Sequence, residues 1–419
     1  MRRYLLLLLL AGVVAACGVD GDSSQSSGPD STVPGVGVFP ASAGVERAPE
    51  SPEAPVTELT KGLNNSGFEL WPTQPVEDNL VFSPASIGDA LLMARAAADD
   101  PTRTAIDEAF GLPDGVSAHE AWNTIDHGIA ASQSDEVTVT IADRIWPRLD
   151  IQPDQAWIDL LATHHDADVH ALDLTGDPDG SRQTINDWVS DRTQDLIPEL
   201  LPEGFIKPGR TVLVLTDALY FEAKWQTPFG KYDPVDGTFT NLDGSTQPVE
   251  LMRELELADR RGVGDGFVAA ELPYVGNEYS MLVIVPDEGR FEEIRESLSQ
   301  DMLDEIDATF STGPYELLLP KWESDAPIDL KEWLTEVGAA PGSYPAIGDG
   351  VELSEAMHAA NITVDENGTV AAAATALGFD ESAARQPELT VAADQPFLYL
   401  VRHRDSGLVL FAGQVTSLR

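Results

Sequence analysis

Ile87, Leu91, Ala94 and Ala98 recur at the spacing of one helix face. They follow Val81-Phe82-Ser83-Pro84, where a short apolar strand runs into a serine placed to cap and a proline suited to the first helical position. The same periodicity predicts helices at about 118–131, 154–164, 181–196, 291–308 and 328–337. Strand-like runs lie at about 137–146, 211–221, 267–273, 279–285, 315–319, 361–364, 396–402 and 408–415. Helices gather early and strands late, so an α+β fold is expected rather than a regular alternation of parallel units. No internal repeat is visible. From Thr211 to Phe221 the chain is apolar on both faces except at Asp217, as in a central strand covered on both sides. A carboxylate there needs a partner, or a sheet loose enough to admit water.

One segment departs from its surroundings. Glu366-Asn-Gly-Thr-Val-Ala-Ala-Ala-Ala-Thr-Ala376 sets an alanine run, good in helices and poor in strands, after the β-branched pattern Asn361-Ile-Thr-Val364. Leu377-Gly-Phe-Asp-Glu-Ser382 follows, with no helical stripe to bury. Residues this small can lie exposed as a loop and can also slip between two strands without steric conflict. A short surface helix is the plain alternative.

With Glu366-x-Gly368-Thr369 leading into small residues, the chain resembles the serpins, inhibitors of serine and sometimes cysteine proteases whose reactive loop inserts into their own sheet. Further motifs stand in the family's order: Asn79-Leu-Val-Phe-Ser83-Pro84-Ala-Ser86-Ile87, Leu215-Thr-Asp217-Ala-Leu-Tyr-Phe221 with Trp225 and Pro228-Phe229, Leu319-Pro320-Lys321, His358, and Pro396-Phe397-Leu-Tyr-Leu400. The matches run from about residue 57 to Arg419. The resemblance implies three β-sheets, the largest of them central, a surround of eight or nine helices, and an exposed reactive loop near 366–395. It also implies a suicide mechanism, serpin loop insertion being itself a known case of strand addition and strain release. A protease serine attacks a loop carbonyl, and the severed hinge then enters the sheet.

Site residues carried over by the resemblance fall into four groups. Ser83, Ser86, Asp217 and His358 correspond to a hydrogen-bonded cluster under the opening of the main sheet. Asp217 stands where the family usually has Asn, and a charged acceptor there would pair with a protonated His358 and make the cluster depend on pH. Lys321 and Glu366 correspond to a salt bridge where the loop first enters the sheet. Trp225, in the same region, reads as packing. Glu366, Gly368, Thr369, Ala371, Ala372, Ala373, Ala374 and Thr375 form the hinge; its residues alternate, so one set, with either Thr369 or Val370, faces inward after insertion. The scissile bond is Ser382–Ala383 when counted sixteen positions from Glu366, and Arg385–Gln386 is the alternative when counted back from Pro396.

Met1-Arg2-Arg3, Tyr4 and six leucines, followed by Ala11-Gly-Val-Val-Ala-Ala16, read as a signal peptide over 1–16. Val14-Ala15-Ala16-Cys17 resembles a bacterial lipobox, so Cys17 is the expected lipidation site. The arginine pair fits twin-arginine and general secretory export equally. Being the single cysteine, Cys17 leaves no intrachain disulfide. Residues 17–56, rich in Gly, Ser, Pro and Asp, are expected to be a disordered tether to a domain over 57–419. The protein is thus placed on the outer face of the cell envelope, touching membrane only through its lipid, or secreted. A net charge of −46 excludes nucleic acid and anionic glycans as partners, since both require a basic surface. High-salt adaptation and general acidity both account for that charge.

No Gly-x-Ser-x-Gly elbow and no His-Glu-x-x-His occurs, so these motifs give a hydrolase no support, and the resemblance implies an inhibitor and not an enzyme. His164, His165 and His170, with Asp166 and Asp168, fit no standard zinc spacing. Gly262-Val-Gly264-Asp-Gly266 reads as a turn between strands. Neither cofactor nor metal is expected, and the partner is a serine or cysteine protease met by a monomer. The competing reading is a non-inhibitory serpin-fold surface lipoprotein acting as a binding module. Hinge composition separates the two, because bulky, charged or proline residues block insertion, and Val370 is the largest residue from Thr369 to Ala376.

Overall fold

The computed structural model describes residues 36–257, 260–353, 355–369 and 389–418. The first part holds β1 (Val36–Phe39), α1 (Val56–Leu70), β2 (Leu80–Phe82), α2 (Pro84–Ala97), α3 (Asp100–Phe110) and α4 (Ser117–Ala131). Next come β3 (Val137–Ile141), β4 (Arg144–Pro147), α5 (Gln155–His164), β5 (Val169–Leu172), α6 (Pro178–Arg192) and β6 (Leu213–Lys224). β7 (Val235–Thr240), β8 (Thr246–Leu257), β9 (Arg261–Gly264), β10 (Phe267–Pro273) and β11 (Tyr279–Pro286) lead to α7 (Phe291–Ser297) and α8 (Gln300–Thr309). The chain continues through β12 (Tyr315–Leu319), β13 (Trp322–Asp329), α9 (Lys331–Glu336), β14 (Glu355–Val364) and β15 (Gly368–Thr369). β16 (Thr390–Ala392), β17 (Phe397–His403) and β18 (Val409–Val415) complete it.

The α+β expectation holds. Three larger sheets form, ordered β13-β14-β15-β6-β3, β2-β18-β17-β11-β10-β9 and β16-β12-β8-β7, and β4 also pairs with β6. α2 starts as its sequence predicts, Ser83 accepting from the Ser86 N–H with Pro84 in the first turn. β6 is covered on both sides: Leu219, Phe221 and Ala223 pack with Ala85 and Leu92 of α2, and Val214 and Ala218 with Ile185 and Val189 of α6.

Four boundaries differ from expectation. The helix predicted over 291–308 divides in two, because Ser299 caps α8 by accepting from the Met302 N–H. The strand predicted over 137–146 breaks at 142–143 into β3 and β4, both held by β6. The helix predicted from 328 starts later, since Asp329 still pairs with Met357. Most important, the stretch expected to be tether is folded from Val36 onward. β1 pairs antiparallel with β5, and Arg47 donates to Asn123 Oδ1 at 3.0 Å and pairs with Asp126. Four residues bounded by glycine and proline are too few to show a period, so only the partner strand reveals them.

The main sheet contains a gap between two of its central strands. β6 and β14 lie side by side in parallel register from Val214–Glu355 to Leu219–Ala360 and then part. Beyond that point β14 pairs outward with β13, and β6 outward with β3. Tyr220 to Glu222 and Asn361 to Thr363 are not paired across the gap, and β15 sits at its far end, bonded to both flanking strands.

Candidate functional site

The chain leaves β14 at Val364 and turns straight back into the gap. The Asp365 carboxylate accepts from the N–H groups of Asn367 (2.7 Å) and Gly368 (3.2 Å), closing the turn as short acidic side chains commonly do. Thr369 then faces Val364 on one side and Ala223 on the other, with Gly368 opposite Lys224. A Cβ at position 368 would run into the Ala223 carbonyl oxygen, so only glycine lets the backbone come this close to β6.

Thr369 is buried, and its hydroxyl lies 2.7 Å from that of Tyr274, also buried. Tyr274 stacks on Trp225 with ring centroids 4.5 Å apart. Trp225, read as packing, also grips the turn: its indole N–H donates to the Asp365 carbonyl (2.9 Å) and its backbone N–H to that of Asn367 (2.8 Å). Above it, Lys321 and Glu366 form an ion pair, both partly exposed. Burial pushes the Glu366 carboxyl up, but the bond from Lys321, a backbone hydrogen bond and the lysine charge together outweigh it and leave the group below its ordinary value. The same bond raises Lys321.

Deeper along the sheet, Ser83, Ser86, Asp217 and His358 do come together. The Ser83 N–H donates to His358 Nε2 at 3.0 Å, His358 Nδ1 lies 3.0 Å from Asp217 Oδ1, and the Ser86 hydroxyl bonds the same oxygen. Because Nε2 accepts from a backbone N–H it carries no proton. His358 therefore turns Nδ1 toward Asp217 as a hydrogen-bond donor, so the pairing of the two residues is seen in the geometry. Proton accounting brings in a residue that no motif marked. Ser86 Oγ is also 2.8 Å from Asp143 Oδ1, and one hydroxyl hydrogen cannot serve two carboxylates. Burial, then the neighbouring Asp217 charge, holds the Asp143 carboxyl well above its ordinary range. Of the two carboxyls that meet the Ser86 hydroxyl, Asp143 is the one pushed toward holding a proton.

The family model described as Serpin (serine protease inhibitor) matches residues 62–418. The chain belongs to the serpin family. This serpin is 29% identical over 371 residues to an uncharacterized serpin-like protein of Methanosarcina acetivorans, covering 86% of each chain. With antithrombin-III of Mus musculus it shares 26% identity over 399 residues, covering 89% of this chain and 84% of that one. The native state of tengpin, a thermophilic serpin, is similar in fold at a TM-score of 0.80 and 24% identity, covering 91% of this chain and 98% of that one.

Ala371, Ala372, Ala373, Ala374, Thr375, both candidate scissile pairs (Ser382–Ala383 and Arg385–Gln386) and Cys17 lie outside the described residues. The histidines of the 164–170 segment go to different places. His165 lies 2.5 Å from Asp89 Oδ1 and 2.9 Å from His119, whereas His170 sits edge-on to Trp146. Among the described residues no cluster of His, Cys, Asp or Glu is arranged to hold a metal ion. Tyr274, Asp365 and Asp143 were not singled out from the sequence. Of these only Asp365 leaves a local signal, an acidic residue three before a glycine; the other two act across the fold.

Proposed function

We propose that this serpin inhibits a serine-type endopeptidase by a suicide route. The protease serine oxygen attacks the loop carbonyl and an acyl bond forms as the peptide bond breaks, releasing a new amino terminus. The hinge then continues into the sheet from the foothold that β15 already occupies. The observation that carries this reading is the seated pair Gly368–Thr369 at the end of an unpaired gap.

Strand register supports it. With Thr369 opposite Ala223, the antiparallel ladder extended down β6 brings Thr375 opposite Asp217. Extended along β14 from Val364–Thr369, it brings Thr375 opposite His358. Asp217 and His358 are already each other's partners, so both ladders close without a bulge. Thr369, whose side chain is buried against Tyr274, fixes which face is inward: Ala371, Ala373 and Thr375 follow it, all small. Insertion exchanges one parallel ladder for two antiparallel ones, which favours the inserted state and makes the native state metastable.

By the hinge count the acyl bond forms at Ser382 and Ala383 leaves. Mass spectrometry of the released peptide checks this, a terminus at Gln386 pointing to Arg385 instead. The same reading places the protein outside the cytoplasmic membrane on a lipid at Cys17, and palmitate labelling that survives Cys17→Ala would overturn that placement. For the inhibitory function, the protein is mixed with elastase-, trypsin- and subtilisin-type proteases. A covalent complex stable to denaturing electrophoresis is expected with at least one of them. Loop cleavage by all three without any complex would favour a non-inhibitory binding module.

A further inference from the structure

Five arginines are buried among the described residues, and four have polar partners. Arg95 pairs with Asp107, Arg182 with Asp179 and Glu199, Arg402 with Glu271 and Asp307, and Arg295 donates to Gln414 and two backbone carbonyls. Arg144, 8% exposed, is the exception. Its guanidinium lies over the rings of Trp188 (4.3 Å) and Trp146 (5.1 Å) and makes no ion pair or hydrogen bond with any described residue. In a chain with 71 acidic residues against 25 basic ones, a carboxylate partner would be easy to supply. Stacking on aromatic rings offsets only part of the loss of water around a guanidinium.

Arg144 lines a cavity of about 310 Å³ between α4, the β3–β4 break and α6. Two more walls of that cavity carry polar atoms left over. The buried Trp188 indole N–H has no acceptor, and Asp143, whose Oδ1 bonds Ser86, leaves its Oδ2 without a partner. We propose that this cavity is a binding site for a small monocarboxylate, whose two oxygens take the Arg144 fork and the Trp188 N–H.

The chemistry of the walls selects that class. A guanidinium presents parallel N–H groups matched to a planar carboxylate, and an indole N–H donates but cannot accept. The volume sits at the lower end for small-molecule sites, enough for a compact organic acid. Asp126 and Asp166, both paired with Arg47, and the exposed Asp168 stand around the same cavity, so a dianion such as phosphate meets more repulsion than a singly charged acid. Burial also draws the Arg144 pKa down to about 10, a strain that a bound anion would relieve.

Tryptophan fluorescence of the purified protein, titrated with benzoate, tests this, because Trp146 and Trp188 flank the guanidinium. Saturation below about 10 mM is expected, with a raised thermal midpoint and no comparable effect of benzylamine or inorganic phosphate at equal ionic strength. Arg144→Gln should weaken benzoate at least tenfold, and Trp188→Phe several-fold, with Trp146 left as reporter. Arg404→Gln on the exposed surface should bind as the parent does. Absence of saturation in the parent protein overturns the site, as does equal binding by phosphate or benzylamine. Should Arg144→Gln fail to fold, undiminished binding by Trp188→Phe has the same force.

Discussion

Thr369 in the hinge and Tyr274, just past the end of β10, share a hydroxyl–hydroxyl hydrogen bond of 2.7 Å inside the protein, which commits the Thr369 side chain to the inward face. Thr369→Arg would place a charge against that apolar interior with nothing to pair it. On the proposed suicide route, the hinge should then stay out of the sheet and the protein be cleaved as a substrate. The expected result is a stoichiometry of inhibition raised about tenfold or more, equivalent to ~1.4 kcal/mol in the partition between trapping and turnover. An unchanged stoichiometry would count against insertion.

Tyr274→Phe makes a milder version of the same test. It leaves the buried Thr369 hydroxyl without its partner, at a cost of about 1–3 kcal/mol to the seated state. Hydrogen exchange at Gly368 and Thr369 should quicken about fivefold or more, while amides of the paired β17 and β18 keep their protection.

Lys321 and Glu366 are each exposed by more than a third of their side chains, so their pair contributes at most ~1 kcal/mol to overall stability. The sign of its pH dependence follows from Glu366. Its carboxyl is held below the ordinary value of 4.5, so the stabilisation is present above that value and is lost as pH falls through the lowered one. Denaturation midpoints of the parent and Lys321→Ala proteins should differ at neutral pH and converge in acid. A gap that persists in acid would mean the lysine acts other than through Glu366.

Asp143 predicts the opposite slope. Its folded pKa is raised above the ordinary 3.8, so between those two values the folded protein holds a proton that the unfolded chain has lost. This group's contribution therefore falls as pH rises through that window, by up to ~1.4 kcal/mol per pH unit. Asp89, also raised by burial although His165 counteracts it, adds a slope of the same sign. Comparison with Asp143→Asn isolates Asp143, since the amide can still donate to Ser86. Urea midpoints of the two proteins should diverge steadily with rising pH, the parent falling relative to the variant. Parallel curves would show that Asp143 carries no proton in the folded state.

How far the sequence was legible depends on how local each determinant is. Ser83-Pro84 announces α2 because a cap and a first-turn proline act within three residues. Lys321 with Glu366, and the cluster residues Ser83, Ser86, Asp217 and His358, were legible through motif order, and in each set the side chains meet; of the hinge only Glu366, Gly368 and Thr369 lie among the described residues. β8 was hidden: Thr246–Leu257 is studded with charges, and its strand state is set by β7 and β12 on either side. β13 contains Pro327 and three acidic residues, yet holds as a strand at the sheet edge, where the missing proline N–H has no ladder partner to lose. Asp143 and Tyr274 matter through residues far along the chain, Ser86 and Asp217 for the one and Thr369 for the other, and no local pattern encodes such meetings.

Thermal unfolding of the loop-cleaved protein against the intact one tests most directly whether the gap between β6 and β14 receives the hinge. Full insertion replaces the parallel β6–β14 ladder with two antiparallel ladders, a net gain of backbone hydrogen bonds, so cutting the loop beyond the hinge should raise the midpoint by roughly ten degrees or more. A cleaved protein that melts at or below the midpoint of the intact one would contradict insertion, and with it the suicide mechanism.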